Sequence, residues 1–124
     1  MNYSPTQHYH RDSILSLPPE RIVLKLHDKL LQRIEQAEQS LQAGERAATG
    51  VAISRAVEIV NALQGALDRG LEADIVCRLD ELYQAVRGWL MQANRERRPQ
   101  PLEWCRRVMS VLRDGWEGAV RQTA

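Results

Sequence analysis

The 124-residue sequence predicts an all-α protein, an antiparallel up-down four-helix bundle preceded by an N-terminal arm or short extra helix. Three observations carry this. In four long stretches apolar residues recur at three- and four-residue steps, the spacing that gathers side chains on one face of a helix. The connections between those stretches are short, which favours antiparallel packing of neighbours. Nothing in the pattern calls for a strand.

Residues 1 to 17 read as a loosely ordered arm, with Tyr3 and Tyr9 among polar residues and Ile14, Leu15 and Leu17 as a short apolar docking piece. Pro18 and Pro19 suit the first turn of a helix, where a missing N–H costs nothing. From there Val23, Leu26, Leu30, Ile34, Ala37 and Leu41 line one face, until Gly44 supplies a stop. Thr49 or a neighbour is expected to cap a second helix with Ala52, Ala56, Ile59, Leu63 and Ala66 inward and Gly70 at its end. The third runs from about Leu71 to Asn94 on Ile75, Leu79, Leu82, Val86, Trp89 or Leu90, and Ala93. A charged, proline-containing loop, Arg95 to Pro101, leads to a fourth from about Pro101 to Val120, with Leu102, Cys105, Met109, Leu112 and Trp116 inward. The domain reading is therefore an arm over 1–17, a bundle over 18–120 and a disordered tail over 121–124.

Composition bounds the function. Hydrophobic residues make up 44% and charged residues 27%, enough apolar surface to fold one domain. Seventeen basic against sixteen acidic side chains give a net charge of +1, which argues against nucleic acid or an anionic membrane as the partner. With no apolar run of about twenty residues and no signal-peptide pattern, a cytoplasmic protein without membrane insertion is expected. Cys77 and Cys105 stand apart, as small buried helix residues rather than a zinc site or a disulfide framework.

Catalytic chemistry is not written in the spacing. There is no Glu-x-x-His pair for a di-iron centre, no glycine-rich phosphate loop, and no Ser-His-Asp or Cys-His set. His27 reads as a surface or interhelical hydrogen-bonding group, Arg95-Glu96-Arg97-Arg98 as a solvated loop, and Arg106 and Arg107 as a polar face. The expectation is no enzyme, no metal and no cofactor. Apolar residues off the main stripes, Leu24, Leu31, Val57, Val60, Leu67 and Val76, instead suggest either a binding surface or wide stripes buried against two neighbours.

Two islands carry a resemblance. One is Pro19-Glu20-Arg21-Ile22-Val23-Leu24-Lys25-Leu26-His27-Asp28, opening the first helix. The other is the stripe Leu79, Leu82, Tyr83, Val86, Leu90, Ala93 and Asn94. With the late Leu112-Arg113-Asp114-Gly115-Trp116, similar to a Leu-Arg-x-x-Trp pattern, their order and spacing resemble the FliS family of flagellar export chaperones from about Tyr3 to Val120. His27 stands where that family has tyrosine in a Leu-Tyr-Asp-Gly stretch, and Lys29 where it has glycine.

The resemblance implies a chaperone that wraps the C-terminal segment of flagellin, prevents premature polymerisation and aids delivery to the flagellar type III export apparatus, with an export-gate component as a further partner. It implies contacts by Ile22, Val23, Leu26, Asp28, Leu79, Tyr83, Leu90, Ala93 and Asn94, with arm residues such as Tyr9 covering the groove when it is empty. On this reading Tyr83 joins core to groove, so that Tyr83→Ala weakens client binding more than stability, and the structural role of Asn94 is to cap the third helix or fix the next loop. The alternatives are a diverged helical chaperone or adaptor for another secreted or regulatory protein, or a self-associating bundle. Sedimentation separates the last, because the chaperone is expected as a monomer or weak homodimer.

Overall fold

The computed structural model describes residues 19–67 and 72–123. Four helices fill them: α1 (Pro19–Gln42), α2 (Arg46–Gly65), α3 (Ala73–Glu96) and α4 (Gln100–Thr123), with no strand among the described residues. They pack as a ring in which α1 and α3 each lie against both α2 and α4. Direction follows from the cross-helix pairs. Asp28 meets Arg113 and Glu38 meets Arg106, so α1 and α4 run in opposite senses. Gln64 bonds Asp80 and Asn61 bonds Arg87, so α2 and α3 do too. The expected antiparallel up-down bundle is what forms.

The predicted inward positions build the core. Leu30, Ile34, Ala37, Ala56, Val86, Leu90, Ala93, Leu102, Cys105 and Met109 are fully enclosed. Val23, Leu26, Leu41, Ile59, Leu112 and Trp116 pack half-buried at its margin. Val60 and Leu67, off the predicted stripes, are buried as well, because a helix packed between two neighbours hides a wide stripe. Ile75 departs from expectation: it sits in the first turn of α3, at the bundle's end, and is 43% exposed. Of the cysteines, Cys105 is buried as expected, but Cys77 is exposed on the outer side of α3.

Gly44 ends the first helix in the manner its type allows. At φ +75° it lets its own N–H reach the Leu41 carbonyl and that of Glu45 reach the Ser40 carbonyl, closing the last turn. A Cβ there would meet no atom within 4 Å, so the backbone angle alone sets the cost. Gly44→Ala should therefore lower stability by about 1 kcal/mol; urea unfolding with an unchanged midpoint would show that the turn tolerates a side chain.

Other boundaries shift. Thr49 is not the cap of α2, which already begins at Arg46 behind an uncapping Glu45. The Thr49 hydroxyl instead lies 2.9 Å from both the Glu45 carbonyl and the Ser40 hydroxyl, tying the first turn of α2 to α1. The second helix ends at Gly65; Gly70 and Leu71 lie outside the described residues. The third continues past Asn94 to Glu96, and it is Arg97, at φ 56°, that turns left-handed and bonds the Ala93 carbonyl. The expected loop of seven residues thus shrinks to 97–99, with Pro101 in the first turn of α4. Lacking any breaker after Gly118, α4 runs to Thr123, so part of the expected tail is helix. The arm, with Tyr3, Tyr9, Ile14, Leu15 and Leu17, lies outside the described residues.

Candidate functional site

The sequence islands that carried the resemblance meet in space. His27 of α1 is completely buried, and its Nε2 shares a 2.9 Å hydrogen bond with the Tyr83 hydroxyl of α3. The edge of Trp116 from α4 stands against the same imidazole, with ring centroids 5.9 Å apart, and the Trp116 indole N–H donates to the Glu20 carbonyl at 2.8 Å. Beside them Arg113 donates to Asp28 at 2.6 Å and also pairs with Glu117. One end of the bundle is thereby laced together by α1, α3 and α4. Of the two roles expected for His27, surface or interhelical, it takes the second, and it does so buried in the core rather than on a flank.

The electrostatics of this cluster are those of a closed interior. Burial lowers the His27 pKa from its ordinary 6.5 to about 4, with Asp28 pulling the other way and Arg113 adding to the fall. Burial likewise pushes the Tyr83 hydroxyl up, so it keeps its proton. Donation from Tyr83 to a neutral Nε2 leaves only Nδ1 without a partner, whereas the reverse bond would strand both Nδ1 and the hydroxyl hydrogen. The first arrangement is the favoured one.

Elsewhere the side chains also tie helix to helix. Arg106 meets Glu38 at 3.1 Å across α1 and α4, and Arg107 pairs with Glu103 on its own helix. Arg97 donates to the Arg46 carbonyl at 3.3 Å, across the end of the bundle. The Cys105 thiol points at the Val86 carbonyl, 3.5 Å away, and burial pushes its pKa up to about 12, so it is no nucleophile. Among the described residues no group of His, Cys, Asp and Glu is placed to hold a metal ion.

The candidate contact residues divide by burial. Leu79, Tyr83, Leu90 and Ala93 face the core, and Tyr83, 1% exposed, is the largest of the fully buried side chains. A partner reaches these four only if the bundle opens, so their first effect is on the fold. Ile22, Val23 and Leu26 are half-buried along α1, and Asp28 keeps a 49% exposed side chain although Arg113 holds it. Asn94 faces α2, its Oδ1 about 4.0 Å from where a Gly50 Cβ would stand and without a hydrogen-bond partner.

A surface that the periodicity did not single out runs along the outside of the α3–α4 seam. Trp89, the outward member of the Trp89 and Leu90 pair, meets Trp104 edge to face at 6.0 Å. Ile75 and Leu82 continue its stripe at seven-residue steps, and Val108 and Val111 continue that of Trp104 at four and seven. Trp104 is 42% exposed and Val111 75%. Gly115, one turn beyond Val111, has open space where a side chain would be. The signal was available in the sequence: Trp104, Val108 and Val111 form a second apolar stripe on the last helix, beside the one assigned to the core.

Among the described residues the bundle thus exposes one tryptophan and one valine along the α3–α4 seam, and its fold is that of an all-α helical bundle. No described helix is long and apolar enough to cross a membrane. The family model described as "Flagellar protein FliS" matches residues 1–123, and the chain belongs to that family. It is 28% identical over 106 residues to the flagellar secretion chaperone FliS of Salmonella typhimurium, spanning 85% of this chain and 78% of the relative. The corresponding chaperone of Vibrio cholerae is 28% identical over 107 residues, 86% and 79% of the two chains. That of Escherichia coli is 26% identical over 106 residues, 85% and 78%. Each of these relatives is named a flagellar secretion chaperone.

Proposed function

We propose that this protein is a cytoplasmic export chaperone that binds the C-terminal segment of flagellin, one to one and without covalent chemistry, holding it unpolymerised until delivery to the export apparatus. The observation that carries this reading is the α3–α4 seam, where Trp104 and Val111 are exposed beside the half-buried Trp89 and Val108. A client segment that folds into an amphipathic helix would lay its apolar face there, its ordering entropy lowering the net affinity. Family membership supports the flagellar setting. Of the motif residues, Ile22, Val23, Leu26, Asp28 and Asn94 retain enough exposure to touch a client that wraps further round the bundle. Leu79, Tyr83, Leu90 and Ala93 hold the helices that form the grooves.

The test is calorimetric titration with the last forty or so residues of the host's flagellin, about 60 Å as a helix and therefore longer than the seam. Saturable one-to-one binding with a negative heat-capacity change is expected. Trp104→Ala should weaken it by at least about tenfold, because a half-exposed tryptophan is the kind of anchor that dominates an interface, while helicity stays unchanged. A folded sample that fails to bind the peptide would overturn the reading.

A further inference from the structure

On the opposite side of the ring, α1 and α2 line a trough of about 400 Å³, open to solvent. Arg33 and Gln36 line one wall, and Ala47, Ala48, Val51 and Ala52 the other. Val51 is 58% exposed, and the alanines beside it leave a shallow floor. The rim is basic. Lys29 precedes Arg33 by one helical turn and Lys25 precedes Lys29 by another, while Arg55 follows Val51 by one turn. Among the described residues Lys25, Lys29 and Arg55 make no ion pair, and Arg33 is bonded to the neutral Gln36, at 3.0 Å. One carboxylate, Glu58, shares these stripes. A chain of net charge +1 therefore gathers four cations on one side of the bundle.

We infer that the α1–α2 trough is a second docking surface, and that its occupant is an acidic amphipathic helix of another polypeptide. Small side chains on the floor let a helix axis approach closely, and apolar residues of the partner remove Val51 from water. Carboxylates one turn apart on that helix meet Lys29, Arg33 and Arg55, which a neutral or basic helix would leave unsatisfied. A helix fits better than an extended peptide, because α1 and α2 offer no free backbone groups along their length to pair with a strand. Lys29 stands where the family motif carries glycine, so part of this basic rim is the chain's own. The trough lies across the ring from the α3–α4 seam.

The probe is a fluorescein-labelled peptide of about eighteen residues, ~27 Å as a helix, with Ala and Leu on one face and Glu on its flanks. A matched peptide carries Lys for Glu. Anisotropy titration with the full chain should show binding of the acidic peptide that weakens as salt rises from about 0.05 M to about 0.3 M, and no binding of the basic one. The Lys29→Glu/Arg33→Glu/Arg55→Glu variant and the single variant Val51→Glu should each weaken it by at least about tenfold, while binding of the flagellin peptide is unchanged. Lys29, Val51 and Arg55 are exposed and Arg33 is half-buried, and if the triple variant loses helicity the single one decides. Equal binding of the two peptides, or undiminished binding by Val51→Glu, overturns the inference. So does a sedimenting dimer that Val51→Glu dissolves, since the occupant would then be a second copy.

Discussion

Tyr83→Ala should leave a chain at the edge of unfolding. The ring is 1% exposed at the centre of the bundle, and its removal opens a cavity that costs about 3 to 5 kcal/mol, as for other large aromatics cut to alanine. His27 then loses its only hydrogen-bond partner while still buried, adding roughly 1 to 3 kcal/mol. The sum rivals the whole stability of an ordinary domain, about 5 to 15 kcal/mol. Tyr83→Phe keeps the ring and should cost only the stranded imidazole nitrogen, about 1 to 2 kcal/mol. Urea unfolding followed by circular dichroism reads both, and client binding by the alanine variant should fall together with helicity. An alanine variant within about 1 kcal/mol of the parent would restore the idea that Tyr83 serves the groove first.

That burial also shows which parts of the molecule the sequence could disclose. Periodicity located all four helices and nearly all the core, because Leu30, Ile34, Val86, Leu90, Leu102 and Met109 obey one rule, an apolar residue every three or four positions. It failed at the ends. Thr49 has the chemistry of a cap, yet a helix can start earlier when its first turn is held by a neighbour, here through Ser40. Asn94 was a plausible stop until Arg97 took the left-handed position, which side-chain type alone does not reveal. The contact residues were harder still. The resemblance marks Tyr83 and Leu90 as significant without saying whether a partner or the core needs them. Periodicity does not mark Trp104 and Val111 as a separate surface, because a stripe adjoining the core stripe looks like its widening. Only the packing of α3 against α4 separates the two.

The same cluster should make the fold sensitive to mild acid. His27 ordinarily binds its proton at pH 6.5, but in the folded protein only at about pH 4, chiefly because burial penalises the charged imidazole. Asp28, on its own helix, partly offsets this, Arg113 on α4 reinforces it, and Tyr83 and Trp116 offer the ring no charge. Below pH 6.5 the unfolded chain therefore takes up a proton that the folded chain refuses, and stability falls as pH drops. There is no contribution above about pH 7; the loss reaches about 2 kcal/mol by pH 5 and roughly 3 kcal/mol near pH 4. The window that reads this effect runs from pH 7 to 5, above the ordinary carboxylate range. A fall in melting temperature on the order of 10 °C is expected across it for a bundle of this size. His27→Gln, which can still bond the Tyr83 hydroxyl but does not titrate, should flatten most of that slope, and comparing the two proteins cancels His8 and His10. If parent and variant lose the same stability between pH 7 and 5, His27 is not the group responsible.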